Sequence, residues 1–511
     1  MNRRHSHIML WIVLCAILAF CLIVLYGKTQ YRYDKANYKE IYSDNAVWDL
    51  SEVDFETTIV KLSGNVEHIK NEILTPKEFE NNKEKIEIGS PTDTNEGRTA
   101  RMTLIMPENK SYHIYTIGDY ARKLYLNGEE RGKTGEPSNN AQTFVPAYGA
   151  IFGDVDASNN KIEIVIQGGN FVHVTANAYT NVYVGNTELV QWFMGYENSL
   201  EFSVVAVLIF LTALHLIFAL MYGNYQLHLT FSVSCIVWAV RLGLVGSKIL
   251  YEIIPDLPWE VAFKTEYMTI PIGCILIIEI IYLQLKDVLN IKALRIFEVI
   301  FVIFAIVFLF VDTYTMSMLR VPLQITYILP LLYLTFSGGI WLVKQHRKKQ
   351  SGGIIAQITF LSIFIIFYAG ISDALYFNKI YLFGITVSLS EVSILIFCIY
   401  QTVATFYITV QNMQQARIAE KEALAIAQTL KGLNKMKTVF LQNMSHEMKT
   451  PLTVIGTGLN YAIRLINKPT IDTKDTAETL STIKEQSDRL SRMISSMVDM
   501  TEMVVGEHRK N

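Results

Sequence analysis

The residues with the most chemical capacity lie together in Phe440-Leu-Gln-Asn-Met-Ser-His-Glu-Met-Lys-Thr-Pro-Leu452. A neutral imidazole at His446 can attack an electrophile through one ring nitrogen while the other keeps its proton. Glu447 follows at once and can accept a hydrogen bond from that second nitrogen, stabilising the charge that develops. Phosphoryl transfer needs such a nucleophile, in line with the γ-phosphate, and a group to manage its proton. Thr450 comes one helical turn after His446 and faces the same side. Pro451 then removes a backbone donor and loosens the helix beside the histidine.

These side chains need an amphipathic helix to present them. Phe440, Met444, Leu452 and Ile455 form an apolar stripe at helical spacing, which leaves His446 facing water. The helix is expected to end near residue 467, where Lys468-Pro469-Thr470 breaks it. Asp472 or Thr473 can cap a second helix. Leu480, Ile483, Leu490, Met493, Ile494, Met497 and Met500 make its apolar stripe. A helical hairpin that dimerises into a four-helix bundle is expected, with Leu490 and Met497 in the shared core. Upstream, Ile426, Leu430, Leu433, Lys437, Phe440 and Met444 step by four and three in alternation. That is a heptad seam with one lysine in it, as in a coiled coil, and such a rod can pass a rotation or register shift. The alternative is a plain connector helix.

The stretch resembles the H box of the dimerisation and phosphoacceptor domain of sensor histidine kinases, with Lys449 where arginine is common. The resemblance implies that His446 is the phosphoacceptor and Glu447 its proton acceptor. It implies that Thr450 positions water for dephosphorylation of a response regulator. An ATP-binding domain of that family needs on the order of 100 or more residues. Its asparagine-rich N box, D-x-G-x-G turn and glycine lid do not occur in this sequence. No cofactor or metal site is therefore expected within this chain. ATP and Mg are expected only through a partner domain, in either a natural split form or a truncated one.

Hydrophobic residues make up 51% of the sequence and charged residues 18%, a membrane-protein composition. The net charge of −2 gives no sign of nucleic-acid binding. Hydropathy predicts one isolated span at 8–26, an anchor with a signal peptide as the alternative, and a group of seven near 202–222, 227–246, 268–284, 294–311, 321–343, 353–374 and 380–408. Arg3 and Arg4 put the N-terminus inside, and eight spans then put the C-terminus inside as well. Lys286, Lys292, Arg295 and Lys344-Gln-His-Arg-Lys-Lys349 fall on the same cytoplasmic side. All five cysteines (Cys15, Cys21, Cys235, Cys274, Cys398) sit in predicted spans, so no disulfide holds the exported segment.

Residues 27–199 are polar and turn-rich. Candidate strands are 57–62, 101–106, 113–118, 123–126 and 161–167, and Leu126-Asn127-Gly128-Glu129 is the clearest hairpin signal. An all-β sandwich follows. Val60-Lys-Leu-Ser-Gly64, Ile73-Leu-Thr-Pro76, Tyr125-Leu-Asn-Gly128 and Ile164-Val-Ile-Gln-Gly-Gly-Asn-Phe171 resemble a bacterial receptor group. That group comprises seven-transmembrane receptors with an extracellular jelly-roll module, related to carbohydrate-binding jelly rolls. Gly64-Asn65-Val66 departs from the Gly-Glu-Trp turn common there. Tyr120, Asn127, Asn170, Phe171 and His173 can line a site for a carbohydrate or another small molecule, or can serve as core tyrosines and turn asparagines. Ionisable groups in lipid usually pair inside the bundle. His215, Arg241, Glu279, Asp373 and Glu391 are such groups, with Arg241 and Glu279 the expected pair; they form either an inner ligand or proton site or a buried pair that fixes helix register. Glu298 is expected to snorkel at a helix end.

The expected fold class is a multi-domain membrane protein. Its parts are a transmembrane anchor (1–26), an extracytoplasmic all-β jelly-roll sandwich (27–199), a seven-helix membrane bundle (200–409), a cytoplasmic coiled coil (410–433) and the dimerising hairpin (434–505). The expected function is that of a two-component sensor protein in the bacterial cell membrane. It would carry an extracytoplasmic signal to His446 and on to a response regulator, as a homodimeric phosphoprotein. A non-enzymatic dimeric receptor that sequesters a response regulator or kinase is the alternative. A transporter would need an internal repeat that the sequence does not show.

Overall fold

The computed structural model describes Cys15 and residues 37–508, apart from 91–95, 119, 175–180, 223–224, 247, 286–288, 348–352, 379–389 and 468–472. The expected span at 8–26 lies outside the described residues, Cys15 excepted, and so does Cys21. Two compact units are present, Met1–Val410 and Gln411–Asn511.

Strands in the first unit follow from alternation and turn chemistry. β1 (Asn37–Ser43), β3 (Thr58–Gly64), β7 (Ser111–Gly118), β10 (Gly149–Asp156) and β12 (Val182–Gly185) form one sheet in the order β1-β3-β12-β7-β10. β4 (Val66–Lys70), β5 (Glu87–Gly89), β6 (Glu96–Ile105), β8 (Arg122–Leu126), β9 (Glu129–Thr134) and β11 (Lys161–Asn170) form the other in the order β5-β4-β6-β11-β8-β9, and β2 (Val47–Asp49) adds alongside β6. Pairing is antiparallel except at β1–β3 and β2–β6. β8 and β9 are joined by Asn127 and Gly128, with φ of 49° and 84°. Two consecutive left-handed residues make a tight hairpin turn whose twist matches the strands.

One apolar core lies between the sheets. Val60, Ile114 and Val184 come from the first, and Leu104, Leu124 and Ile164 from the second. This N-terminal part is thus β-sandwich-like. The short α1 (Pro76–Asn81) opens with a capping box, in which Thr75 and Glu78 satisfy each other's backbone donors.

The first long helix, α2 (Thr187–Met221), begins inside the segment assigned to the sandwich. Asn186 caps it by accepting from Glu188 N, so one residue separates it from β12. Its first turns cover the outer face of the first sheet. Val190 and Phe193 pack on Ile59, and Phe193 stacks on Tyr38 at 5.7 Å. That outward-facing apolar surface needs a cover, which is why the helix starts before the hydropathy rises.

The rest of the unit is helical: α3 (Tyr225–Leu244), α4 (Leu250–Ile253), α5 (Trp259–Leu285), α6 (Ile291–Phe310), α7 (Thr313–Met318), α8 (Arg320–Arg347), α9 (Ile354–Phe377) and α10 (Ser390–Ile466). Among the described residues seven helices are long and apolar enough to cross a membrane, consistent with a membrane protein. They share a core that includes Leu208, Phe231, Ile281, Phe301, Leu334 and Phe397. A second cluster joins Tyr120 and Phe144 of the β part to Trp259, Phe263, Phe308 and Leu323. His173 Nε2 lies 3.2 Å from the Tyr267 hydroxyl, and Val174 N donates to Ser317 Oγ at 3.0 Å.

Candidate functional site

The second unit holds the end of α10 and α11 (Thr473–His508). In α10, Met444, Met448, Pro451, Ile455, Gly458, Ala462 and Leu465 are half-buried or buried. They step by four and three, which sets one continuous inward face. In α11 the matching face is Thr476, Thr479, Ile483, Gln486, Leu490, Met493 and Met497. The backbones draw close at Gly458, where a Cβ would stand 2.9 Å from Ile483 Cγ1. Near the turn, Tyr461 donates its hydroxyl proton to Asp475 Oδ2 at 3.0 Å.

The expected stripes differ in detail from the observed ones. Leu452 is exposed, and Met448 and Pro451 take its inward place. In α11, Ile483, Leu490, Met493 and Met497 turn inward, whereas Leu480 and Ile494 are exposed. Leu490 and Met497 are half-buried in the hairpin of a single copy. A stripe wider than one helix seam divides between two neighbours, and hydropathy alone cannot divide it.

His446, Glu447 and Thr450 all sit on the exposed side of α10. Thr450 Oγ1 donates to the His446 carbonyl at 3.4 Å, so it stands one turn along on the same side. Among the described residues no hydrogen bond joins the Glu447 carboxylate to the His446 ring. Pro451 supplies no N–H to the Glu447 carbonyl, its usual partner four residues back, so the ladder is interrupted beside the histidine. A groove lined by Met444, Met448, Leu452 and Met497, with Ser445 and Lys449 also in its wall, runs alongside. An imidazole on the exposed side of the helix can be reached by a large electrophile without unfolding anything.

The sites expected elsewhere separate. Asn127 is a turn residue. It donates to Asp156 O at 2.9 Å and accepts from Glu163 N at 2.8 Å. Asn170 folds its own turn, accepting from Val172 N and His173 N. Phe171 packs edge-on against Phe144. Tyr120 and His173 face Trp259 and Phe263 of the helical part. Of these five, Tyr120 and His173 line one cavity, and Asn127, Asn170 and Phe171 do not.

Arg241 does not pair with Glu279. It donates to the Glu266 carbonyl at 3.1 Å, while Glu279 and Glu298 share Arg295. Glu298 is buried rather than snorkelling. His215 contacts His228, which sequence reasoning had not singled out. Asp373 is buried, and the Glu391 side chain lies outside the described residues.

Residues 436–504 match the His Kinase A (phospho-acceptor) domain family. No curated protein matches the chain. The matched segment covers the observed hairpin and includes His446, Glu447 and Thr450. The match supports a member of the two-component histidine kinases, and a domain of this kind implies, in general, dimerisation and a response-regulator partner.

Proposed function

We propose that this chain is a membrane-bound signalling protein of the two-component type, in which His446 is phosphorylated and passes the group to a response regulator. The observation that carries this is His446 on the exposed side of a hairpin within the matched segment. One ring nitrogen of His446 forms the bond to the γ-phosphorus of ATP as the bond to the bridging oxygen breaks and ADP leaves. A small rotation of its side chain lets Glu447 take the hydrogen bond of the other nitrogen and hold the developing positive charge. Thr450 orients a water molecule for dephosphorylating the regulator. An ATP-binding kinase domain acts on the hairpin to deliver the phosphate.

The seven apolar helices carry the signal across the membrane. Lys292 and Arg295 open α6, and Lys344 lies near the end of α8, so those ends are cytoplasmic by the positive-inside rule. The β part then lies outside, where its two sheets serve as the jelly-roll sensor of the receptor group it resembles. Leu452, Leu459, Ile494 and Val498 are exposed apolar residues that a second copy would cover, completing a four-helix bundle.

The test is phosphorylation of the purified chain by a separately supplied ATP-binding domain of a histidine kinase. Label should appear on wild type and vanish in His446→Gln without loss of the dimer. Equal labelling of the two proteins would overturn the assignment and favour a receptor that only sequesters its partner.

A further inference from the structure

A cavity of about 460 Å³ lies within the first unit, between the helical ends and the β part, with Gly118, Tyr120 and His173 on one wall. That volume is in the range of small-molecule sites. Its lining is mixed. Trp238, Phe263, Leu323, Leu331 and Ile366 give it apolar walls. Arg241, Lys248, Arg320, Glu266 and Asp373 also line it, three cations against two carboxylates.

The charges are unevenly matched. Lys248 reaches the Glu266 carboxylate at 3.6 Å. Arg320 donates to Asn378 Oδ1 at 3.2 Å. Arg241 has only the Glu266 main-chain carbonyl, and among the described residues no carboxylate pairs with it. Arg241 is half-buried; a guanidinium carries five N–H donors, and withdrawing part of its charge from water without a counter-charge leaves it receptive to an anion. Trp238 is 8% exposed, and its indole Nε1–H finds no hydrogen-bond partner among the described residues. Trp238 and Arg241 are three residues apart on α3, so they are neighbours on one helical face. Both leftover donors thus belong to one face of one helix that lines the cavity.

We propose that this cavity binds a small monocarboxylate with a compact apolar or aromatic body. Its carboxylate is received by Arg241 and the indole N–H of Trp238, and its body lies among Phe263, Leu323 and Leu331. The anion gives Arg241 a counter-charge and occupies both donors, and the apolar walls select against small hydrophilic acids. Ser393 and Ile394 of α10 are also in the wall, so a bound ligand touches the helix whose sequence continues to His446.

The test is binding rather than phosphorylation, so its outcome is separate from that of the assignment at His446. Phenylbutyrate and its uncharged isostere phenylbutyramide are titrated by calorimetry into the full chain in lipid nanodiscs. The acid should bind saturably, and the amide about ten-fold more weakly or less. Arg241→Gln should bring the acid down to the affinity of the amide, and Arg241→Lys should keep part of the difference. Trp238→Phe keeps the apolar wall and should weaken the acid while leaving the amide unchanged, which covers the case in which the Arg241 variants fail to fold. Equal affinity for acid and amide, no saturable binding of the acid at millimolar concentration, or unchanged preference in Arg241→Gln would each overturn the proposal.

Discussion

His215 and His228 face each other through their Nδ1 atoms at 3.1 Å, with both side chains fully buried. One ring donates and the other presents its lone pair. Their far nitrogens reach α10, His215 Nε2 at 3.3 Å from Thr402 Oγ1 and His228 Nε2 at 2.8 Å from Thr409 Oγ1. A polar relay therefore ties α2 and α3 to α10 within an otherwise apolar core. Such a relay fixes which faces of the three helices meet.

Removing one ring should leave the other with a buried nitrogen lacking its partner. Replacing His228 by Leu is expected to cost about 1–3 kcal/mol. His215→Leu should behave alike, and the double variant should cost less than the sum of the two. Thermal unfolding of the full chain in detergent measures this. Additive losses would mean that the two rings contribute independently.

A second prediction concerns Gly118. A methyl group there would overlap the guanidinium of Arg122, which is 1% exposed and donates to Thr116 Oγ1 at 2.6 Å. Gly118→Ala should displace Arg122 and destabilise the β part by about 1–3 kcal/mol. The cost of Gly118→Ala should shrink when it is measured in an Arg122→Ala background, because the overlap is gone. Chemical denaturation followed by near-UV circular dichroism reads both.

Acid sensitivity should localise to a bond between the sheet and α2. His113 Nδ1–H donates to Asp154 Oδ1 at 2.7 Å, and the Thr187 hydroxyl donates to the same oxygen at 3.0 Å. The His113 bond is the main reason that the Asp154 carboxyl sits below its ordinary range, with Thr187 adding to it and burial opposing. A depressed carboxyl stabilises the fold above its unfolded pKa, and the contribution fades as pH falls through the lower folded value. Stability should thus decline below about pH 4, and Asp154→Asn should flatten that decline by lowering the stability at neutral pH toward the acid value. The slope difference is expected to be small, because the side chain is 58% exposed. Parallel acid profiles for the two proteins would rule out this bond as the source.

The two kinds of apolar residue in the hairpin should respond differently to charge. Leu459 and Ile494 are exposed on one copy, so Asp at either should separate the dimer and leave the helices folded. Leu490 packs inside the hairpin, so Leu490→Asp should unfold it, at a cost of several kcal/mol. Sedimentation and circular dichroism together distinguish these outcomes. An intact dimer in both exposed-site variants would count against the bundle.

Local chemistry made some of this readable in advance. Asn127-Gly128 announces its hairpin because two adjacent residues must adopt positive φ. His446 and Glu447 are carried by a pattern of a dozen residues. The capping box of Thr75 and Glu78 marks α1, a helix that sequence reasoning did not anticipate. Other features depend on partners far along the chain. β1 is rich in polar residues and becomes a strand by pairing in parallel with β3. Tyr120 and His173 end against α5, whose nearness no spacing rule reveals. The pairing of Arg241 with Glu279 fails for a geometric reason. Trp238 meets Gly273 while Arg241 meets Glu266, so α3 and α5 run antiparallel. Glu279 is then roughly 20 Å further along the axis, at a rise of about 1.5 Å per residue.

Asn186 alone separates β12 from α2, and its side chain is already committed to capping that helix. A joint of one residue has almost no compliance. The turns beyond it are pinned to the sheet through Val190 and Phe193, and Thr187 is tied to Asp154. A displacement of this sheet is therefore not taken up by slack in a linker. It reaches α2 as a tilt or a translation of the whole helix, and inserting glycines after Asn186 would act as a mechanical fuse.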